Sequence, residues 1–254
     1  MKVSSLQLMD RYIGVPVCFT LTLLRKIFPS RTRSTVSTRR WLFVKLAEQG
    51  STVLAYSALR KAVETVGREN VYFICFEENR FILDAMGILP EGNVVIITHS
   101  SPMRLLISAI KAIARLRSLE LEAAIDMEFF ARGSAALAFL AGARERVGFH
   151  AFFGAGAYRG DLMTRRLIYN PYLHTEQVFE SMVEALNYNA ERFPTLPLVM
   201  APRETVLPRF VASPEEIQQV RDVVAAKIGR TVIPPLILLN PNASDLLAFR
   251  RWET

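Results

Sequence analysis

The stretch WLFVKLAEQGSTVLAYSALRKAVE, Trp41 to Glu64, decides the fold. Leu42 to Leu46 are mostly apolar, as in a strand buried on both faces. Gly50 then offers backbone freedom for a turn, and Ser51 or Thr52 is placed to cap a helix expected near Thr52 to Val66. A strand that passes through a glycine turn directly into a helix is how an open α/β domain begins. In such domains ligands lie outside the carboxyl ends of the strands, so Ala47 to Thr52 is the first place to look for chemistry. An ordinary βα turn carries the same spacing.

Downstream of this unit the alternation continues. VYFICF (71 to 76), NVVIIT (93 to 98), EAAIDM (122 to 127) and ERVGF (145 to 149) read as buried strands. Helical stretches fall near Pro102 to Leu116 and Phe129 to Ala141, and a long amphipathic helix, HTEQVFESMVEALNYNAERF, opens at His174. Strands and helices in strict alternation predict right-handed crossovers and a mostly parallel sheet. Pro194, Pro197, Pro202 and Pro208 then punctuate a connector. Ser213-Pro214-Glu215-Glu216 supplies an N-cap, a first-turn proline and acidic residues at the positive end of a helix running to about Ile228. PPLILLNPNASDLL reads as a further buried strand ending in an Asn/Pro/Ser turn.

With 254 residues, 51% of them apolar, the chain has ample material for a core. Its net charge of +7 is unevenly spread. Residues 1 to 40 hold eight basic residues and one acid, Asp10, while the remainder carries 23 of each sign. A neutral body argues against a nucleic-acid binder and moves the basicity to an N-terminal arm suited to an anionic membrane surface. The apolar run Tyr12 to Leu24 is too short to cross a bilayer as a helix. It fits a helix lying at the interface, with a core helix and a cleaved signal or anchor as alternatives. Cys18 and Cys75 suit buried, reduced thiols of a cytoplasmic protein, and the three histidines show no metal-ligand spacing, so no metal is expected.

Four segments resemble the family 9 glycosyltransferases, the bacterial heptosyltransferase family. They are VKLAEQGSTVLAYSALR, AAIDMEFFARGSAALAFLAGARERVGF, the histidine opening HTEQVFE, and LLNPNASDLLAFRRW. The resemblance implies a GT-B-type α/β fold of two Rossmann-like domains facing a cleft. Residues 1–40 would form the membrane-surface arm, 41–212 the acceptor-side domain, and 213–254 the beginning of an incomplete nucleotide-sugar domain. The implied activity is inverting sugar transfer from a nucleotide sugar, such as ADP-heptose, to a cell-envelope glycolipid or oligosaccharide, with no metal or other cofactor, and these 254 residues alone are expected to be inactive because the nucleotide-sugar domain is incomplete. The implied location is the inner face of the cytoplasmic membrane.

Inverting transfer needs a base for the acceptor hydroxyl and positive or N–H-rich surroundings for the departing diphosphate. Where the family carries Gly-Asp, with the aspartate as proposed base, this chain has Gly50-Ser51. A serine hydroxyl is no base near neutral pH, which transfers the role to Glu48 on the same loop or leaves the chain a non-catalytic glycan- or lipid-binding module. Gly50 and Thr52 would line the acceptor loop. Asp126, Arg132, Ser134 and His174 would meet acceptor hydroxyls or phosphates, although Asp126 also suits a helix cap and His174 a core position. Asn242, Ser244 and Arg250 would hold the donor phosphates. Gly154 and Gly156 lack the spacing of a phosphate loop and read as part of a mobile acceptor-side loop.

Overall fold

The computed structural model of the protein describes residues 3–27, 39–129, 131–150, 157–188, 210–229, 235–237 and 239. Two compact units divide at Pro208 and Arg209. The first opens with a helical hairpin, α1 (Val3–Tyr12) and α2 (Gly14–Ile27), followed by β1 (Trp41–Val44), α3 (Gln49–Leu54), α4 (Tyr56–Val66) and β2 (Val71–Phe76). Next come α5 (Arg80–Met86), β3 (Val94–Ile97), α6 (Pro102–Ser118), β4 (Ala123–Asp126), α7 (Arg132–Leu140), β5 (Glu145–Phe149), β6 (Arg165–Leu167) and α8 (Thr175–Glu184). The second unit contains α9 (Pro214–Ile228).

The six strands form one sheet in the order β3-β2-β1-β4-β5-β6, and every pairing is parallel. Alternate side chains of each strand feed opposite layers, as the two-residue period of a strand requires. Trp41 and Phe43 pack with Phe73, Ile125 and Val147 beneath α4 and α8. Leu42 and Val44 pack with Ile74, Val95 and Ala124 beneath α2, α6 and α7. Both faces are covered, which is why the strands read as unbroken apolar runs.

The five strands expected between Trp41 and Phe149 are present, and the helices around them differ from expectation at their margins. The helix expected over Thr52 to Val66 is two helices, since Ala55 N bonds Thr52 O in a tight i to i+3 step that offsets the axes. Gly50 lies inside α3, where an added methyl would meet nothing within 4 Å; the left-handed residue is Glu48, at φ 69°. Ser51 and Thr52 do not cap the helix. Their hydroxyls bond back to Glu48 O at 2.9 and 3.2 Å. The helix expected from Phe129 starts at Arg132, because its N-cap Ala131 is extended, at φ −72° and ψ 134°. The helix from His174 stops at Glu184 and tightens into a 3₁₀ turn, Ala185–Asn187, beyond which Asn189 to Phe193 lie outside the described residues.

Residues 3–27 pack on the body. Cys18 and Leu21 of α2 are buried against α7, Asp10 of α1 accepts from Arg132 N and Gly133 N at 2.8 Å each, and Arg25 pairs with Asp161 at 2.9 Å. The other side of the hairpin exposes Leu8, Tyr12, Phe19, Leu23 and Ile27. The apolar run thus serves the core with one side only. No helix among the described residues is long and apolar enough to cross a membrane.

Gly160 marks where the chain passes closest to this hairpin. Its φ is +69°, and a β-carbon there would stand 2.5 Å from Thr22 Oγ1 and 2.7 Å from Cys18 O. Gly160→Ala is expected to destabilise by at least about 2 kcal/mol, from the left-handed backbone and the backbone contact together. A fall in the urea midpoint at unchanged slope is the measurement.

In the second unit, α9 opens with the expected capping box. Ser213 Oγ accepts from Glu216 N at 3.2 Å, Glu216 Oε2 accepts from Ser213 N at 2.7 Å, and Gly229 closes the helix at φ 66°. Of the buried strand expected after it, Pro235 to Ile237 and Leu239 are described, and they are irregular and exposed, with Ile237 at 90%. Among the described residues no strand pairs with them, and an apolar run without a ladder partner has no sheet to enter.

Candidate active site

The strand order reverses at β1. Its chain neighbour β2 lies on one side and β4, reached by a crossover, on the other, so the carboxyl ends of β1 and β4 border the switch crevice of the sheet. Val44 pairs with Asp126 in register, and the chain leaving each strand places one carboxylate in this region: Glu48 from β1 and Glu128 from β4. A fully buried lysine, Lys45, joins them. Its Nζ stands 3.2 Å from Glu48 Oε2, 3.2 Å from Glu128 Oε2 and 2.7 Å from Ala47 O. The remaining oxygen of Glu128 accepts from Leu46 N at 2.7 Å and Ala47 N at 3.1 Å.

These bonds explain the shape of the loop. Both backbone donors just past β1 point to one carboxylate, so the chain turns sharply and Glu48 is driven to a positive φ that a side-chain residue rarely adopts. Asn79 Nδ2 holds Leu46 O at 2.8 Å from the other side. Glu48 itself keeps 42% of its side chain exposed. Among the described residues, its ion pair with Lys45 and its bond from Ser51 Oγ at 3.1 Å both fall on Oε2. Oε1 is left for an incoming hydroxyl. A strained backbone at a half-exposed carboxylate, braced by buried charge, is the arrangement expected of a working site.

Lys45 and Glu128 were not singled out in the sequence. Lys45 interrupts an apolar strand, which was the available signal, whereas Glu128 is one acid among several until β4 is placed beside β1. Glu128→Ala is expected to cost about 3 kcal/mol in urea unfolding, because Lys45 loses a buried counter-charge and two backbone donors lose their acceptor.

The other sequence-derived candidates separate into distinct groups. Thr52 is buried, with its hydroxyl turned back to Glu48 O, and so does not reach a ligand. Asp126 and Ser134 are both fully buried and meet each other at 3.1 Å, with the Arg159 guanidinium bonded to both. They form an internal ion-pair cluster rather than a surface for acceptor hydroxyls. Burial pushes the Asp126 carboxyl up to about 6, even with Arg159 drawing it down. Arg132 is engaged by Asp10 at 3.1 Å and donates to Tyr158 O at 3.0 Å. His174 is the N-cap of α8: its Nδ1 faces Glu176 N at 3.4 Å, and Gln177 Oε1 accepts from His174 N at 3.0 Å. Asn242, Ser244 and Arg250, like Gly154 and Gly156, lie outside the described residues.

Beside Glu128 the carboxyl ends of β4, β5 and β6 carry an aromatic group. Phe129 stacks on Phe149 at a centroid distance of 5.7 Å, and Tyr169 meets the two edge-on at 5.4 and 5.5 Å. Tyr169 is 39% exposed. Both cysteines are free and buried, and desolvation pushes their thiols up to about 11 for Cys18 and about 12 for Cys75, so neither supplies a thiolate nucleophile.

The order of the sheet and its parallel pairing define a Rossmann-like α/β domain. Its solved counterparts are glycosyltransferases. The chain is similar to the E. coli ADP-heptose LPS heptosyltransferase II, with TM-score 0.51 and 14% identity over 75% of this chain and 51% of that one. It is also similar to a family 9 glycosyl transferase from Veillonella parvula, with TM-score 0.52 and 11% identity over 75% of this chain and 49% of the other. The E. coli heptosyltransferase WaaC, solved with ADP-2-deoxy-2-fluoro heptose, matches at TM-score 0.49 and 16% identity over 59% and 49% of the two chains. At these identities the shared property is the fold. The chain spans about half the length of these structures. No family model and no curated protein matches the sequence.

Proposed function

We propose that this chain supplies the acceptor-side domain of an inverting glycosyltransferase of the heptosyltransferase type, with Glu48 as the base. The observation that carries the reading is the half-exposed Glu48 carboxylate at the switch crevice, braced by buried Lys45 and Glu128. In the reaction, a hydroxyl of a cell-envelope glycolipid or oligosaccharide gives its proton to Glu48 Oε1. The freed oxygen attacks the anomeric carbon of a nucleotide sugar, the bond to the diphosphate breaks with its electron pair, and the anomeric configuration inverts. Ser51, in the position where the family carries its aspartate, donates to Glu48 Oε2 and orients it. An ADP-sugar donor is favoured by the fold neighbour that is itself an ADP-heptose enzyme. Asn242, Ser244 and Arg250 are the residues the resemblance assigns to the donor phosphates. The basic N-terminal hairpin, with its outward apolar side, fits a peripheral position on the anionic inner face of the cytoplasmic membrane.

The serine in place of the family's aspartate favours one second reading, a glycan-binding module without turnover. Incubation of this domain joined to a complete nucleotide-sugar-binding domain, with a panel of ADP-sugars and a phosphorylated lipid-linked core oligosaccharide, separates the two. Transferase function predicts a lengthened glycan of inverted linkage that is lost in Glu48→Gln. Acceptor binding without any lengthening, for every donor, would leave the module.

A further inference from the structure

Helix α6 has two apolar sides. Leu105, Ala109, Ala112 and Leu116 face the sheet and complete the core layer shared with α2 and α7. On the opposite side Met103, Leu106, Ile107 and Ile110 follow the i, i+3, i+4, i+7 spacing of a helical stripe and are 46 to 65% exposed. A helix that covers a sheet ordinarily turns a polar side outward. Here four large apolar side chains replace it, in a contiguous stripe.

The charges around the stripe indicate its partner. Arg104, Lys111 and Arg115, at i, i+7 and i+11, line one flank of it, and no acidic residue occurs between Pro102 and Ser118. An apolar stripe edged by cations is the pattern of a helix that lies in the plane of a bilayer interface, with hydrocarbon beneath it and anionic headgroups beside it. The hairpin α1–α2 covers the same face of the sheet and exposes Tyr12, Phe19 and Leu23 near Arg11 and Lys26.

Position adds a second argument. Because β3 is parallel to its neighbours, α6 begins at the carboxyl end of the sheet, the end that bears Glu48. Ser108 fixes this half of the helix there, donating to Thr98 O at 3.0 Å and accepting from Thr98 N at 3.2 Å. β3 stands two strand spacings from β1, roughly 10 Å. We infer that the outward face of α6 is a docking surface for an anionic lipid bilayer, in addition to the N-terminal hairpin. It holds the membrane surface on the side of the domain next to the crevice. This inference does not depend on sugar transfer, since α6 would seat on lipid whether or not Glu48 acts as a base.

Vesicle cosedimentation of the full chain tests it, with phosphatidylglycerol/phosphatidylcholine vesicles against phosphatidylcholine alone. The wild type is expected to favour the anionic vesicles. The double substitution Leu106→Glu/Ile107→Glu should weaken that binding by about tenfold or more, with an unchanged circular dichroism spectrum. Arg104→Glu/Lys111→Glu should weaken it by about tenfold at low salt and match the wild type at high salt, where headgroup attraction is screened. Wild-type binding by both variants at low salt would overturn the inference, as would failure of the wild type to sediment with anionic vesicles. So would self-association that Leu106→Glu/Ile107→Glu abolishes while vesicle binding persists, because the face would then belong to a second copy of the chain.

Discussion

Glu48→Gln is expected to lower sugar transfer by about 10²- to 10⁴-fold, in a form that joins this domain to a complete nucleotide-sugar-binding domain, while leaving acceptor affinity nearly unchanged. The substitution keeps the size and hydrogen-bonding reach of the side chain and removes its ability to take a proton. Since Glu48 reaches the crevice from a loop whose backbone is fixed by Glu128 and Asn79, the amide should occupy the same place. Ser51→Ala removes a neutral hydroxyl shared between Glu48 O and Glu48 Oε2, takes away no proton acceptor, and should reduce turnover only about tenfold or less. Steady-state rates at saturating acceptor, together with acceptor binding by calorimetry, separate the two effects. If Ser51→Ala lowers turnover more than Glu48→Gln, the base is not Glu48.

The second large effect concerns stability. Arg159→Met is expected to cost about 3 to 5 kcal/mol near pH 7.5 and clearly less near pH 5. Asp126 is fully buried, and Arg159, itself buried, is the cation beside it. Burial raises the folded carboxyl from 3.8 to about 6. As pH rises, the unfolded chain therefore releases this proton first while the folded chain retains it. Asp126's contribution to stability is fully present below its unfolded value and is lost as pH climbs through about 6.

Without the guanidinium, the buried carboxyl is pushed higher still. The loss then continues above pH 6, so the gap between variant and wild type widens from pH 5 to pH 7.5. Asp126→Asn should flatten this dependence. Urea unfolding at the two pH values measures both, and an equal cost of Arg159→Met at each would show that Asp126 stays ionised throughout.

The Asp126 cluster also shows how far a local reading reaches. A carboxylate closing a buried strand suggested a ligand contact at the cleft, with Ser134 beside it on the next helix. The residue that seals both, Arg159, lies 33 positions beyond Asp126 and carries no pattern that links them. Arg132 gave a similar signal, and its partner Asp10 comes from the opposite end of the domain. For exposed arginines and aspartates, sequence identifies the chemistry they offer. Whether that chemistry serves a ligand or an internal bond depends on long-range packing.

The strands β1 to β5 and the helices α4, α6 and α7 were legible because their cause is local: apolar runs of strand length, helical periodicity and capping residues act within a few positions. Ser213 and the proline and acids after it opened α9 for the same reason. β6 was not legible. Its three residues, Arg165 to Leu167, are a strand only because β5 lies alongside to pair with them. α5 was missed as well, since it is only seven residues long and its end is set by Gly87 in a left-handed conformation.

By itself, then, the sequence determined the fold class, the alternation that makes the sheet parallel, and the loop after β1 as the candidate place for chemistry. Only the tertiary structure decided how that place is built. Glu128 reaches Lys45, Leu46 N and Ala47 N because β4 is threaded next to β1, and it is this contact across 82 residues, not Gly50, that bends the loop and presents Glu48. Backbone propensity acts over neighbours, whereas a buried charge takes whichever partner the packed chain brings to it.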